Sequence, residues 1–164
     1  MRTLPLNKSE HDRKRFDCDN EALNNYLQLM ASQQSKRDHT RTFVIEDEKN
    51  SSYIMGYYSL TMIAINLDSL PSSLQKKHQN IQSAGLIARL AVDKRYQKKG
   101  YGEFLLVDAL QRLLLASESV AFPLIVVDAK EGALEFYTKF GFQEFLDEED
   151  RLFITVDNVR KSFK

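Results

Sequence analysis

The sequence predicts a mixed α/β (α+β) fold, in which helices flank a mostly antiparallel central sheet. Two patterns support this prediction. The first half contains successive segments rich in β-branched and aromatic residues, which are typical of an antiparallel meander. The second half alternates short apolar segments with helical patterns, which indicates strands in the middle of a sheet. A chain of 164 residues suits a single hydrophobic core, so we expect one domain over residues 1–164.

The first half is predicted to hold one helix and two strands. Asp19 or Asn20 can cap the helix, and residues 41–46 and 53–65 have the composition of strands. Gly56 marks a candidate bulge in the second strand. The inward face of the helix is expected to consist of Leu23, Tyr26, Leu27 and Met30.

The second half is predicted to contain four strands and two helices. Residues 68–85 come before them and lack regular periodicity, so either a long loop or a short helix is expected there. The strands are expected at residues 86–92, 124–127, 142–146 and 151–156. The first helix should cover residues 104–115. Its inward face is expected to consist of Leu106, Leu110, Leu113 and Leu114.

The second of these helices follows the strand at residues 124–127. Asp128 and Glu131 have the spacing of a capping box at its start. Gly141 suits the left-handed residue that often ends a helix. One helix face is expected to carry Ala133, Phe136, Tyr137 and Phe140.

The composition argues against several classes of protein and site. There are 23 basic and 23 acidic residues, and this neutral balance argues against an obligate polyanion coat while leaving room for a local basic patch. The single cysteine, Cys18, excludes an internal disulfide and suits a reducing cytoplasm. We see neither a signal peptide in residues 1–12 nor an apolar stretch that could span a bilayer, so no membrane partner is expected. Three histidines and one cysteine show no ligand spacing, so no metal site is expected.

Residues 93–106, DKRYQKKGYGEFLL, concentrate charge and flexibility between a predicted strand and a predicted helix. The N-terminus of a helix exposes unpaired N–H groups and carries a partial positive charge. Gly100 and Gly102 would let a ligand approach these groups closely. The segment also carries the cations Lys94, Arg95, Lys98 and Lys99. From these residues alone, a pyrophosphate site and a solvated basic turn are both open. The spacing excludes a P-loop and does not support a dinucleotide fingerprint.

Two segments together resemble the GNAT superfamily of N-acetyltransferases. Residues 88–106, ARLAVDKRYQKKGYGEFLL, contain the acetyl-CoA signature [QR]-x-x-G-x-[GA]. Residues 126–142, VVDAKEGALEFYTKFGF, resemble the segment in which a tyrosine lies beside the cofactor sulfur. The signature is formed by Gln97, Lys98, Lys99, Gly100, Tyr101 and Gly102. The resemblance implies acetyl-CoA as cofactor and a sheet whose central strands splay apart.

The N-terminal half is similar to one branch of this superfamily. FDCDNEALNNYL, RTFVI and GYYSL resemble the acetyltransferase toxins of bacterial toxin–antitoxin pairs, which acetylate the amino group of aminoacyl-tRNA. The resemblance implies an aminoacyl-tRNA acceptor and an antitoxin whose tail would cover the basic cofactor mouth. A small-amine or protein N-acetyltransferase and a non-catalytic CoA-binding module are the alternatives. The oligomeric state stays open, with a homodimer among the options.

The resemblance also implies roles for single residues. The cofactor's phosphates would lie on the N–H groups of residues 97–102, and its pantetheine arm would pair with the backbone of Leu90, Ala91 and Val92. The N–H of Val92 would stabilise the oxyanion that forms during transfer. Tyr137 would act as general acid; packing of its ring is the alternative. Many members carry asparagine where this chain has Asp128, so capping of the helix is the role expected of Asp128.

Other polar residues leave alternatives open. Arg89, in a predicted central strand, is expected either to contact the acceptor substrate or to pair with a carboxylate. No side chain stands out as general base, and a water could relay the proton; the candidates by polarity alone are Glu46, Asp47, His39 and His78. Basic clusters occur at residues 12–15, 35–41, 75–78 and 159–164. If several of these clusters share a face, an RNA acceptor stem could dock there.

Overall fold

The computed structural model describes residues 1–80, 83–129 and 132–164, and the predicted role of Glu131 lies outside them. The strands are β1 Leu4–Pro5, β2 Arg41–Glu46, β3 Ile54–Ala64, β4 Ser83–Val92, β5 Leu124–Asp128, β6 Gln143–Glu144 and β7 Arg151–Thr155. The helices are α1 Glu21–Asn25, α2 Ala31–Lys36, α3 Ser72–Lys77, α4 Tyr101–Ser119, α5 Leu134–Thr138 and α6 Val156–Ser162. None of the helices described is both long and apolar enough to cross a membrane.

The strands form a seven-stranded sheet in the order β1-β2-β3-β4-β5-β7-β6. Strand β2 pairs antiparallel with β1 and β3, and β7 pairs antiparallel with β5 and β6, whereas β4 and β5 are parallel. The predicted mixed, mostly antiparallel sheet is therefore confirmed. The short outer strands β1 and β6 expose little unpaired backbone, which limits pairing between molecules.

The chain divides into two compact units. The first comprises Met1–Thr61 and Ala88–Ala109, and the second comprises Met62–Ile87 and Leu110–Lys164. A buried cluster in the first unit consists of Phe16, Leu23, Tyr26, Leu27, Ala31, Val44, Ile54, Tyr57 and Ala91. In the second unit, Leu124–Val127 of β5 and Leu152–Ile154 of β7 are buried, which explains why β5 is apolar at every position from Leu124 to Val127.

The predicted first helix is interrupted by a π-helical turn over Tyr26–Met30. Asn20 caps its start by accepting a hydrogen bond from the Leu23 N–H, as predicted. The expectation that Met30 faces inward is wrong, because 44% of this residue is exposed while Ala31 is fully buried. The wider turn, closed by a hydrogen bond from the Ala31 N–H to the Tyr26 carbonyl, rotates the later residues relative to ideal helical spacing.

The bulge predicted at Gly56 lies one residue away. Ile45 pairs with Gly56 and Glu46 pairs with Ile54, so Met55 is the extra residue of β3. Gly56 is required for space. A Cβ there would lie 2.9 Å from a methyl group of Leu105 and 3.0 Å from the Ala91 carbonyl oxygen.

Several predicted boundaries in the second half change. Asp128 is the last residue of β5 and caps no helix, since α5 begins only at Leu134 after Ala133, whose side chain makes no capping bond. The carboxylate of Asp128 accepts a hydrogen bond from Arg151 Nε at 2.7 Å. Asp128 is thus paired across the sheet with an arginine of the neighbouring strand, whereas α5 begins six residues later. Gly141 has the predicted left-handed φ, at 93°.

Helices α3, α4 and α6 also refine the prediction. Residues 68–85 contain the short helix α3, preceded by a 3-10 turn over Leu67–Ser69. Helix α4 starts earlier than predicted and buries Leu105, while Leu114 is only half-buried. Val156, predicted as a strand residue, begins α6, because Thr155 caps that helix through the Asn158 N–H.

Candidate functional site

Strand β4 runs beyond its pairing with β5. The two strands pair from Gly85 with Ile125 to Ile87 with Val127, and β4 then continues to Val92. Leu90, Ala91 and Val92, the residues expected to meet an extended ligand arm, all lie in this continuation. An extended ligand arm can add beside the end of a strand as a further strand would.

The segment after β4 has a conformation suited to binding an anion. It contains a 3-10 turn over Lys94–Tyr96 and reaches α4 at Tyr101. Lys98 and Gly100 both have left-handed φ angles, 63° and 87°. The backbone N–H groups of residues 97–102 make no hydrogen bond with any described residue. Left-handed residues alternating with others can turn successive N–H groups toward one centre, which is the geometry of anion-binding nests at helix starts.

The four cations of this segment divide into two pairs. Lys98 and Lys99 are exposed and form no ion pair within the described ranges. Lys94 Nζ lies 3.1 Å from Asp17, whose pKa is lowered to about 2, first by a hydrogen bond from the Asp19 N–H and then by Asn24 and Lys94. Arg95 forms an ion pair with Asp93. Only Lys98 and Lys99 therefore have ammonium groups available for an anionic ligand.

A buried carboxylate holds the start of this segment, next to the end of β4. Asp93 is 0% exposed and accepts two hydrogen bonds from the Arg95 guanidinium, through Nε and Nη2, each at 3.0 Å. It also accepts the backbone N–H groups of Arg95 and Asp17, at 2.9 and 3.0 Å. Arg95 Nη2 further donates to the Arg15 carbonyl. The sequence interpretation missed this anchor, although an aspartate directly before a short turn is a recognisable signal.

Two further bonds hold the segment in place. The Tyr96 hydroxyl donates to Asp47 at 2.6 Å, and Gln97 Nε2 donates to the Val92 carbonyl at 2.9 Å. The bond from Tyr96 is the main cause that lowers the pKa of Asp47, which makes Asp47 a weaker base than an ordinary aspartate. The side chain of Gln97 is thus used to fold the segment back onto β4, which leaves its backbone for a ligand.

Tyr137 lies in α5, within the second unit. The residue is 6% exposed, and its ring makes edge contacts with Phe136 and Phe142 at centroid distances of 5.1 and 5.6 Å. Its hydroxyl forms no hydrogen bond with a described residue. Burial, with a smaller contribution from the charge of Asp128, raises the pKa of Tyr137 to about 12. The hydroxyl is therefore protonated at neutral pH.

The remaining predicted polar residues have varied surroundings. The Arg89 guanidinium stacks on the Tyr26 ring at 3.6 Å and pairs with no carboxylate of the described residues. Glu46 accepts a hydrogen bond from His11 Nε2 at 2.7 Å, since the other ring nitrogen of His11 accepts the Asn7 N–H. His39 is exposed. Burial is the main cause that lowers the pKa of His78.

The four basic clusters of the sequence lie in two groups, one in each compact unit. Residues from the clusters at 12–15 and 35–41 line one groove of about 1250 Å³ in the first unit, where the cations are Lys8, Arg13, Lys36 and Arg37. In the second unit, Asp157 links the other two clusters. Its pKa is lowered first by a hydrogen bond from Lys161 and further by the charges of Lys77 and Arg160.

Comparison with protein families and curated proteins identifies relatives. A family model described as an acetyltransferase (GNAT) domain matches residues 38–144. The chain is 26% identical over 167 residues to the probable toxin TacT of Sinorhizobium fredii, covering 95% of this chain and 91% of that protein. It is 28% identical over 129 residues to a tRNA-acetylating toxin of Mycobacterium tuberculosis, covering 78% and 76%.

Solved structures of similar proteins cover nearly the whole chain. A tyrosine-to-phenylalanine mutant of KacT matches with a TM-score of 0.90 and 28% identity, covering 99% of this chain and 98% of that one. AtaT complexed with acetyl-methionyl-tRNAfMet matches with a TM-score of 0.89 and 28% identity, covering 99% of both chains. A mutant AtaT toxin bound to the C-terminus of the antitoxin AtaR and to acetyl-CoA has a TM-score of 0.84 and 25% identity, with coverage of 99% and 98%.

Proposed function

The chain belongs to the GNAT family of acetyltransferases, and on this basis we propose that it transfers the acetyl group of acetyl-CoA to the α-amino group of an aminoacyl-tRNA. The main support for this acceptor is the structural similarity, over 99% of the chain, to AtaT complexed with acetyl-methionyl-tRNAfMet. The tRNA-acetylating toxin of Mycobacterium tuberculosis supports the same acceptor class. The enzyme would act in the cytoplasm, where acetyl-CoA and charged tRNA are both present.

The first unit has groups that fit acetyl-CoA. The N–H groups of residues 97–102 would hold its pyrophosphate, and Lys98 and Lys99 would add unpaired positive charge. Nothing lies within 4 Å of the position that a Cβ on Gly100 would take, so the backbone is open to a phosphate there. The backbone of Leu90, Ala91 and Val92 would meet the pantetheine amides. When bound, acetyl-CoA supplies an activated thioester.

We assign two groups of this chain to the reacting atoms. The Val92 N–H would donate a hydrogen bond to the thioester carbonyl oxygen, where negative charge develops during attack. The Tyr137 hydroxyl would donate a hydrogen bond to the departing sulfur. A thiol has a pKa of about 8.5, well below the pKa of Tyr137, so full proton transfer from this tyrosine is unfavourable. The main role of Tyr137 would therefore be to stabilise the developing thiolate by a hydrogen bond. The proton that the leaving thiol gains would come from the amine, which loses one N–H proton when it becomes an amide.

The groove lined by Lys36 and Arg37 would bind the RNA backbone. It gathers Lys8 and three cations from two basic clusters of the sequence, although the whole chain is neutral. Phosphate contacts of this kind give RNA binding that weakens with salt and carries little base specificity. The acceptor stem would thus be held mainly by charge.

A toxin of this type requires an antidote. AtaT has been solved bound to the C-terminus of its antitoxin AtaR, and this chain would have an equivalent protein partner. An antitoxin tail rich in acidic residues would complement Lys98 and Lys99. Expression of the chain alone should arrest growth, and co-expression of the partner should relieve the arrest.

A transfer assay tests the proposal. Purified protein is incubated with labelled acetyl-CoA and a mixture of aminoacyl-tRNAs, free amines and peptides. Label should enter the aminoacyl-tRNA pool. The Tyr137→Phe variant should lose about 100-fold or more in kcat while binding coenzyme A as the wild type does. Label in free amines or peptides alone would contradict the acceptor class, and the absence of coenzyme A binding would contradict the cofactor site.

A further inference from the structure

Arg89 has unusual surroundings for a half-buried cation. Its guanidinium lies flat on the ring of Tyr26, with 3.6 Å between the central carbon and the ring centroid. Tyr26 is itself rigid, because it is 2% exposed and its hydroxyl bonds to Thr40 at 2.7 Å and to Gln34 at 3.1 Å. Stacked against Tyr57 on a buried core, this ring fixes the plane of the guanidinium. Arg89 is therefore held in one orientation before any ligand binds.

The hydrogen-bond donors of Arg89 are not used within the described residues. The guanidinium has five N–H groups, and none donates to a described side chain or carbonyl, nor is a described carboxylate paired with it. None of its nitrogens is among the fully buried atoms, so solvent reaches them. A planar, preoriented fork of donors that faces solvent is the arrangement that binds a phosphate or carboxylate in bidentate fashion.

The position of Arg89 relates this fork to the proposed reaction. Arg89 precedes Leu90, Ala91 and Val92 on β4, so its Cα lies about 10 Å along the strand from that of Val92. The loop proposed to hold the cofactor's pyrophosphate starts on the other side of Val92. An anion bound by Arg89 would therefore come from the acceptor, on the opposite side of the reacting groups from the phosphates of acetyl-CoA.

We propose that Arg89, oriented by Tyr26, binds the phosphodiester next to the terminal adenosine of the aminoacyl-tRNA. This inference rests on the proposed function and adds a specific contact to it. Since this phosphate is close to the aminoacyl ester, gripping it would place the amino group beside the thioester. It would also favour an aminoacylated RNA end over free amino acids and small amines, which lack the phosphate.

The test pairs a change in the protein with a change in the acceptor. The two acceptors are an aminoacyl-adenosine, which has no phosphate, and the corresponding aminoacyl cytidylyl-adenosine, which has one phosphodiester. Both carry the amino acid that the wild type acetylates on tRNA. Arg89→Met keeps the stem and removes the fork. It should lower kcat/KM about 10- to 100-fold for the dinucleotide acceptor and less than about threefold for the nucleoside acceptor. The KM for acetyl-CoA should not change.

Two further variants separate binding from folding. Arg15 stacks on Tyr53 with the same 3.6 Å distance, so Arg15→Met is a matched control and should affect both acceptors equally. Arg89→Lys keeps the charge without the planar fork and should recover only part of the dinucleotide rate.

Equal losses on both acceptors for Arg89→Met would overturn the proposal and assign Arg89 a structural role. An unchanged rate on the dinucleotide would overturn it as well. A wild-type enzyme that binds coenzyme A but acetylates neither acceptor nor any aminoacyl-tRNA would instead contradict the proposed function itself.

Discussion

Lys98 combines two properties that oppose each other. Its φ of 63° lies in the left-handed region, which costs a residue with a Cβ roughly 1 kcal/mol. Its ammonium, however, lies in the segment proposed to hold the pyrophosphate and forms no ion pair with a described residue. A glycine would remove the strain and the charge together. The effects of the charge of Lys98 and of its backbone strain can be separated by comparison with a substitution that removes only a charge.

Lys98→Gly should raise the thermal unfolding midpoint by a few degrees, because about 1 kcal/mol of backbone strain is released. The same variant should raise the KM for acetyl-CoA severalfold, since a phosphate-facing charge is lost. Lys99→Ala is the matched control, because it removes a neighbouring charge whose backbone is not left-handed. It should raise the KM without raising stability. Calorimetry and steady-state kinetics measure both effects, and a Lys98→Gly variant with unchanged KM would contradict the phosphate role.

Tyr137 makes a separate prediction about pH. The folded-state pKa of about 12 lies above the ordinary value of about 10, so the folded state holds the phenolic proton more tightly. Its contribution to stability is complete below about pH 10 and is lost as the pH rises toward 12.

Between about pH 9 and about pH 11 the free energy of unfolding of the wild type should therefore fall by about 1 kcal/mol more than that of Tyr137→Phe. Urea denaturation of both proteins at the two pH values measures the difference. Parallel changes in the two proteins would show that the phenol is not buried.

At the scale of elements, the segment between β4 and α4 is held in one conformation by its own hydrogen bonds. Asp93, Tyr96 and Gln97 bind it to three other parts of the first unit, and none of these bonds uses the N–H groups of residues 97–102, which bond to no described residue. The segment can therefore keep its shape without a ligand. Binding to a preformed nest avoids the entropy cost of ordering a loop.

Arg95→Gln should raise the KM for acetyl-CoA about 10-fold with little change in kcat, because the buried Asp93 carboxylate loses its bidentate partner and the segment loosens. Arg151→Gln is the comparison variant. It breaks a similar bond, from Nε to Asp128 at 2.7 Å, in the second unit. It should lower thermal stability without this effect on KM. Equal KM values for Arg95→Gln and the wild type would contradict the anchoring role.

The elements were predictable where local patterns agreed with burial. The strand at residues 41–46 was predicted with its observed bounds, since the buried Thr42 and Val44 alternate with the less buried Arg41 and Phe43. Met30 was placed wrongly because a π-helical turn changes the helical period, and hydropathy cannot reveal that change. Asp128 was assigned to the wrong partner because Arg151, its actual partner, comes from a distant strand.

At the scale of the whole molecule, neutral net charge conceals local concentrations of charge. The groove in the first unit gathers Lys36, Arg37 and two further cations, and a second basic group involves Lys77 and Lys161 in the other unit. Long-range electrostatic attraction of RNA depends on such local fields more than on the total. Which of the two groups meets RNA can be measured.

Replacing both Lys36 and Arg37 with serine should raise the KM for aminoacyl-tRNA about 10-fold. It should also lower the slope of log KM against log salt concentration by about 2, because about two phosphate contacts are lost. The rate with aminoacyl-adenosine should not change, since that acceptor has no backbone to bind. The corresponding double variant of Lys76 and Lys77 is the control. If that control shows the larger effect, RNA docks on the second unit and the groove assignment is wrong.

The sequence by itself determined the fold class and the position of the glycine-containing basic segment proposed to hold the pyrophosphate. Both depend on neighbouring residues: the strand and helix patterns extend over a few residues each, and Gly100, Gly102 and the cations lie within one short segment. Patterns of this kind can be read from the sequence because the residues that form them are neighbours in the chain.

Only the tertiary structure decided which charges remain available. Asp17 and Asp93 are 76 positions apart, yet together they engage Lys94 and Arg95, whereas Lys98 and Lys99 form no ion pair with a described residue. The stack of Arg89 on Tyr26 likewise joins a strand to a helix far away in the chain. Partners of buried and half-buried charges are chosen by packing, and packing brings together residues whose spacing in the sequence carries no signal.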